Sequence, residues 1–301
     1  MSLADFRTAV KAGQYQNARW LFVQLLDDPG LSKEEMAEAY CEASVAEYKA
    51  GHLHTAITWS KVAAKIAFET HQLLLLSRVS QNLIEFYRLS GDLSTAIETG
   101  LRWLAEYGDN AETAFRKGRF YHNLAVTYQQ RDEIEKALAF YEKAWRHLEE
   151  VHLTHPDPPE RERSLVVEVM ALQNAAFLML DMGLDALVDE VAQKAKRLIP
   201  DGNLSLLGEQ RLLECYKLHK SGDPETVLAA VNGVFASATS IPNHQLFRLY
   251  WLAAQAHMRQ GKTGIATAYA AMATQEAEET KDSRFIRLAH RLEKEIDVVA
   301  S

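Results

Sequence analysis

Turn-forming residues are scarce in this chain: 14 glycines and 7 prolines among 301 residues, roughly half the average usage. A many-stranded β protein needs more of them at its corners, so helix is expected. Cysteine is almost missing. Cys41 and Cys215 lie far apart, each within an apparently helical stretch, and match neither a disulfide framework nor a zinc-ligand spacing. Long apolar runs are missing too, since strings such as Leu73 to Leu76 fall far short of the ~20 residues that span a bilayer. Met1 to Arg7 has no basic-then-apolar export pattern. A cytoplasmic location without membrane attachment is therefore expected, and the glycosylation match at Asn203-Leu204-Ser205 would go unused. Positive charge is in deficit, with 33 Lys+Arg against 41 Asp+Glu and a net charge of −8. Such a field repels phosphate backbones, so nucleic acid is not expected as a direct partner. What is present, 48% hydrophobic and 25% charged residues, suits a globular chain with a continuous core.

Repetition organises the chain. Glycines at 13, 51, 91, 183, 222 and 261 each close one helical pattern and precede another, at intervals of 38, 40, 92, 39 and 39. The long interval conceals one more member, in which Asp132 replaces the glycine. Seven helical hairpins follow, with about ten extra residues entering around Pro156, Pro158 and Pro159. Helix ends carry suitable chemistry: Ser32 with Glu35 reads as a capping box, and Asp223-Pro224-Glu225 as N-cap, first-position proline and first-turn acid. None of the seven prolines interrupts a periodic segment, where each would cost about 3 kcal/mol. The reading is all-α: fourteen hairpin helices and a last one from about Ser283 to Val298.

The fourth hairpin, Tyr121-His122-Asn123-Leu124-Ala125-Val126-Thr127-Tyr128 followed by Ala137, Tyr141 and Ala144, resembles the tetratricopeptide repeat (TPR). Gly13, Tyr15, Ala18, Phe22 and Pro29 echo it in the first hairpin, and Leu172, Ala175-Ala176, Val188, Ala192 and Pro200 in the fifth. Small residues at helix crossings let backbones approach to the usual 8–10 Å. The period near 39, against the family's 34, is similar to the long-helix branch that includes kinesin light chains and Rap-type peptide receptors. The resemblance implies a single right-handed superhelical solenoid over 1–301, with a C-terminal capping helix and a soft joint at 152–162. First helices would line its concave groove.

In that frame three consecutive hairpins place asparagine before the packing position of the first helix: Asn82, Asn123 and Asn174. Each offers one acceptor and two donors, enough for the C=O and N–H of one residue of an extended peptide. First helices about 10 Å apart match about three extended residues. On the plainer reading these amides meet only water. Candidates on the same stripe are Arg78, Glu85, Arg88, Arg119, Gln130, Gln173, Phe177, Tyr216, Trp251 and Gln255. Arg78, Arg88 and Arg119 brought together would favour an acidic segment or a free carboxylate.

The last helix presents Arg284, Arg287, Arg291 and Lys294 on one face, either a partner stripe or the solvated side of a cap. His147, His152 and His155 cluster beside the insert without completing a zinc pattern, and no metal or cofactor is expected. Gly261-Lys262-Thr263 lacks the upstream glycine of a phosphate loop, and no other catalytic motif occurs. The expected function is a non-enzymatic scaffold for a peptide or protein partner. A peptide-responsive regulatory receptor and a self-assembling structural protein, with a homodimer as its partner state, are the alternatives.

Overall fold

The computed structural model describes residues 3–237, 241–280 and 283–300, and they fold into two compact units, residues 1–131 and 132–301. The first contains α1 (Leu3–Lys11), α2 (Tyr15–Leu26), α3 (Lys33–Lys49), α4 (Leu53–Glu69), α5 (Leu73–Leu89), α6 (Leu93–Tyr107), a 3-10 turn (Ala114–Arg116) and α7 (Lys117–Gln130). The second contains α8 (Ile134–Thr154), α9 (Pro158–Asp181), α10 (Asp185–Leu198), α11 (Leu204–Ser221), α12 (Pro224–Ser237), α13 (Asn243–Arg259), α14 (Thr263–Thr280) and α15 (Ser283–Ala300). Among the described residues there is no strand.

The turns obey the glycine spacing. Gly13, Gly51, Gly91, Gly183 and Gly261 adopt φ between 71 and 86°, and Asp132, the predicted substitute, takes φ 65° in the same role. A short polar side chain tolerates that left-handed conformation better than a bulky one. The sixth hairpin differs. Gly222 has φ −104°, because α11 runs to Ser221 and Asp223 already caps α12, donors to its Oδ1 being the Glu225 and Thr226 amides at 2.8 and 3.2 Å. Glycine is needed there for a close approach, since a Cβ would sit 2.6 Å from the Leu218 carbonyl oxygen. At the start of α3, Ser32 and Glu35 form the capping box in full.

The ten extra residues do not form a loop. They lengthen α8 to 21 and α9 to 24 residues, leaving His155 to Asp157 between them. Pro158 and Pro159 open α9, where a missing N–H breaks no helical bond. The 152–162 stretch is thus a helix end, a short turn and a helix start, all inside the second unit, whereas the division between units falls at 131/132. Among the described helices only α9 is long and apolar enough to cross a membrane; 61% of its apolar window is buried within the protein.

Packing is a relay of overlapping clusters. Phe22 touches Phe6, Tyr40 and Trp59 at ring distances of 5.8, 5.0 and 4.7 Å and so ties α1 to α4. The repeat alanines Ala125, Ala137 and Ala144 are completely buried. Within each unit successive first helices touch: α1, α3, α5 and α7 in one, α9, α11, α13 and α15 in the other. Second helices α2, α4 and α6, and likewise α10, α12 and α14, lie against the first helices that follow them. First helices therefore form a continuous layer in each unit, and equal registers on them become neighbours.

Candidate functional site

In the first unit that layer carries a repeated pair. Arg78 and Asn82 on α5 are one helical turn apart, and Arg119 and Asn123 stand 41 residues later at the same register of α7. Arg78 is exposed and the other three are half-buried. Asn82 Nδ2 lies 3.9 Å from the Cys41 sulfur. Burial pushes the Cys41 thiol above its ordinary pKa, and the neighbouring Arg78 only partly opposes that. Asn123 hydrogen-bonds His122, whose imidazole is brought down to about 4 by burial, with the charge of Arg88 adding to the effect. Arg88 does not join the pair positions: ten residues beyond Arg78, it stands about 15 Å further along α5, near Tyr48 and His122. Gln130 is half-buried and Glu85 exposed.

One element of this stripe escaped the sequence reading. Glu38 and Glu42 occupy the same two register positions on α3, 40 residues before Arg78 and Asn82. Arg7 of α1 grips both, its Nε lying 3.0 Å from each Glu42 oxygen and its terminal nitrogen bonding Glu38. The 40-residue offset was the available signal. The stripe therefore runs from an acidic pair held by one arginine to two arginine–asparagine pairs.

The second unit uses several candidates internally. Asn174 is half-buried on α9, but four residues before it stands Met170 rather than arginine. Gln173 and Phe177 are corrections. Gln173 is 2% exposed and donates from Nε2 to the Leu206 carbonyl at 2.9 Å, so α11 consumes the group expected in the groove. Phe177 is 3% exposed, with the Arg248 guanidinium 4.0 Å from its ring centroid and the Tyr216 ring edge-on at 5.4 Å. Arg248 also bonds Glu209 at 3.1 Å, and Glu209 accepts from His244 at 2.7 Å and from Gln245 at 3.0 Å. Burial pushes the Glu209 carboxyl up, but the His244 hydrogen bond and the Arg248 charge outweigh it and hold it below the carboxylate range. Tyr216 and Trp251 stack at 5.7 Å and are half-buried. Gln255 donates to Glu295 at 3.1 Å.

The histidines beside the insert have protein partners. His152 Nδ1 lies 2.6 Å from Glu168, a fully buried carboxylate raised by burial, and Lys194 stands 3.6 Å from the other oxygen. His155 Nδ1 accepts the Asp157 amide at 3.2 Å. Cys215 is pushed up to about 11 by burial, so neither cysteine is a thiolate near neutrality. On α15, Arg287 reaches Asp132 at 3.5 Å, Arg291 and Lys294 are exposed, and the Arg284 side chain lies outside the described residues.

Antiparallel helix hairpins with alanine crossings and a layer of first helices define a TPR-like helical-repeat protein. Solved structures agree. The apo form of RapI matches with a TM-score of 0.67 at 15% identity, over 92% of this chain and 99% of that one. A signal transduction ATPase with numerous domains (STAND) from Pyrococcus horikoshii, which has a tetratricopeptide repeat sensor, matches at 0.62 and 13% identity. It covers 98% of this chain, which spans 43% of that protein's length. No protein-family model and no curated protein matches the sequence. At these identities the likeness is one of fold, that of a Rap-type, TPR-like repeat protein.

Proposed function

We propose that this chain is a non-enzymatic, cytoplasmic scaffold that holds an extended peptide or partner segment along its first helices. The observation that carries the reading is the arginine–asparagine pair repeated at one register on α5 and α7 of the first unit. The asparagines bind backbone, which any extended peptide offers. The arginines discriminate, because a carboxylate gains charge-assisted bonds from them.

Magnitudes assign the two roles. Neutral hydrogen bonds at ~0.5–1.5 kcal/mol net leave two asparagines with only a few kcal/mol, whereas micromolar binding needs about 8. Charge-assisted bonds at ~1.5–3 kcal/mol each make up much of the difference, so the favoured ligand is acidic or ends in a free carboxylate. The test is a titration of labelled extended peptides, one acidic with a free C-terminus and one neutral and amidated, against wild type, Arg78→Ala/Arg119→Ala and Asn82→Ala/Asn123→Ala. The arginine variant removes two such bonds, about 3–6 kcal/mol, and should weaken the acidic peptide at least about 100-fold while sparing the neutral one. The asparagine variant should weaken both alike. Undiminished binding of the acidic peptide to both variants refutes the proposal.

A further inference from the structure

The cations of α15 lie in the second unit, whereas the stripe on α3, α5 and α7 lies in the first. Arg287, Arg291, Lys294 and Val298 follow the i, i+4, i+7, i+11 spacing of one helix face. The core face of the helix is a different one: Leu292 and Ile296 are buried against Ala254, Ala266 and Ala270 of α13 and α14. Beside the cations opens a groove of about 460 Å³, lined by Met258 of α13 and by Arg291, Lys294, Glu295, Val298 and Val299 of α15. Its walls are mainly apolar, and Val298 and Val299 are 75% and 56% exposed.

Charge and sequence both say what fits there. Of the acids nearest in the chain, Glu295 accepts from Gln255 at 3.1 Å, Glu293 accepts from Thr274 Oγ1 at 2.7 Å, and Asp297 is exposed. No ion pair holds Arg291 or Lys294 among the described residues. Two cations without an ion-pair partner among the described residues, set against the single carboxylate of Glu295, therefore edge an apolar trough in a protein whose net charge is −8. A merely solvated cap would gain nothing from adjacent valines, since β-branched residues lower helix propensity and exposed ones bury nothing. The trough runs beside α15, and seven residues from Arg291 to Val298 span about 10 Å, or two helical turns. An apolar trough edged by charge is a pattern that receives an amphipathic helix.

We propose that the α13–α15 groove docks an amphipathic acidic helix of a partner protein. Its apolar residues seat on Met258, Val298 and Val299, and its carboxylates face Arg291 and Lys294. The proposal does not depend on the peptide stripe of the first unit, and the experiment separates the two.

The probe is a fluorescein-labelled helical peptide with leucine on one face and glutamate on its flanks, and its charge-reversed twin carries lysine at every glutamate. Fluorescence anisotropy is read at about 0.15 M salt, where the Debye length is ~8 Å and diffuse attraction is largely screened. The acidic peptide should bind, weaken at least ~10-fold with Arg291→Glu/Lys294→Glu, and weaken again with Val298→Asp. Lys65→Glu on α4, a charge reversal at an exposed site, and Arg78→Ala/Arg119→Ala should leave that binding intact. Circular dichroism of each variant establishes that the helices persist. No binding, equal binding of the twin peptides, or loss of binding with Arg78→Ala/Arg119→Ala alone overturns the proposal. Self-association in light scattering that disappears in Arg291→Glu/Lys294→Glu also overturns it, by naming a second copy of the chain as the occupant.

Discussion

Gly100 offers the sharpest test of whether close helix contact underlies this architecture. It lies in the middle of α6, where alanine would ordinarily improve helix stability by about 1 kcal/mol. A Cβ built there would stand 2.8 Å from Leu124 Cδ2, 3.0 Å from Leu124 Cγ and 3.4 Å from Ile84 Cδ1. Leu124 and Ile84 are buried and have little room to withdraw. Overpacking of this kind costs about 1–3 kcal/mol. The steric effect therefore wins, and Gly100→Ala should be destabilising by up to about 2 kcal/mol. Gly233 in α12 is the control: it is exposed, a Cβ there meets nothing within 4 Å, and Gly233→Ala should gain about 0.5–1 kcal/mol. Urea unfolding followed by far-UV circular dichroism and by intrinsic tryptophan fluorescence reads both changes. Adding Leu124→Val should recover part of the Gly100→Ala loss, a coupling expected only of residues in contact. If Gly100→Ala stabilises as much as Gly233→Ala, α6 does not approach Leu124 as described, and the explanation of the repeat by close crossings fails with it.

Two further outcomes follow from buried charge and buried imidazole. Arg248→Ala should cost about 2–4 kcal/mol, since it strips the guanidinium from a mostly buried Glu209 and uncovers the Phe177 ring. Arg248→Lys should recover only part, because an ammonium does not stack as a planar guanidinium does; an unfolding midpoint unmoved by Arg248→Ala would contradict this. His122 and His219 are both lowered to about 4, chiefly by burial. Between that value and ~6.5 the unfolded chain binds more protons than the folded one. Their contribution is therefore complete above about pH 6.5 and is lost as pH falls toward 4. Glu168 and Glu276, raised by burial, act in the opposite sense, their stabilising protons leaving as pH rises above the ordinary carboxylate range. Urea midpoints at about pH 7 and about pH 5, compared in Glu168→Gln and in Glu168→Gln/His122→Gln, isolate the imidazole effect. Equal loss of stability on acidification in the two variants would be inconsistent with a neutral buried His122.

The fold was legible because its signals are local. The glycine interval, the capping box at Ser32 and the Asp132 substitution each depend on a few neighbouring residues, and each appears where the sequence implied. The lengthening of α8 and α9 was harder to read, since Pro158-Pro159 starts a helix as readily as it marks a loop. Site positions divided by the same logic. Arg78 with Asn82, and Arg119 with Asn123, fall into register because the repeat places them so. Gln173 and Phe177 occupy comparable sequence positions, but their surroundings come from Leu206 and Arg248, residues on other helices that no local pattern announces. The acidic pair on α3 was visible only by carrying the 40-residue offset backward, with Arg7 supplying the long-range contact that makes it a unit.

The order of charges along the first unit also sets a direction. A segment lying across α3, α5 and α7 meets carboxylates at one margin and guanidinium groups at the other, so its two antiparallel placements differ in energy before any side chain is sorted. In the proposed binding mode a carboxyl-bearing end would lie over Arg119 and an amino-terminal or lysine-bearing end over Glu38 and Glu42, whose charge Arg7 offsets only in part. Reversing such a segment would set a cation against Arg119 and leave its carboxylate facing a pair that Arg7 only partly offsets. In that mode the surface would read polarity first and composition second, as a ratchet accepts a strip from only one side.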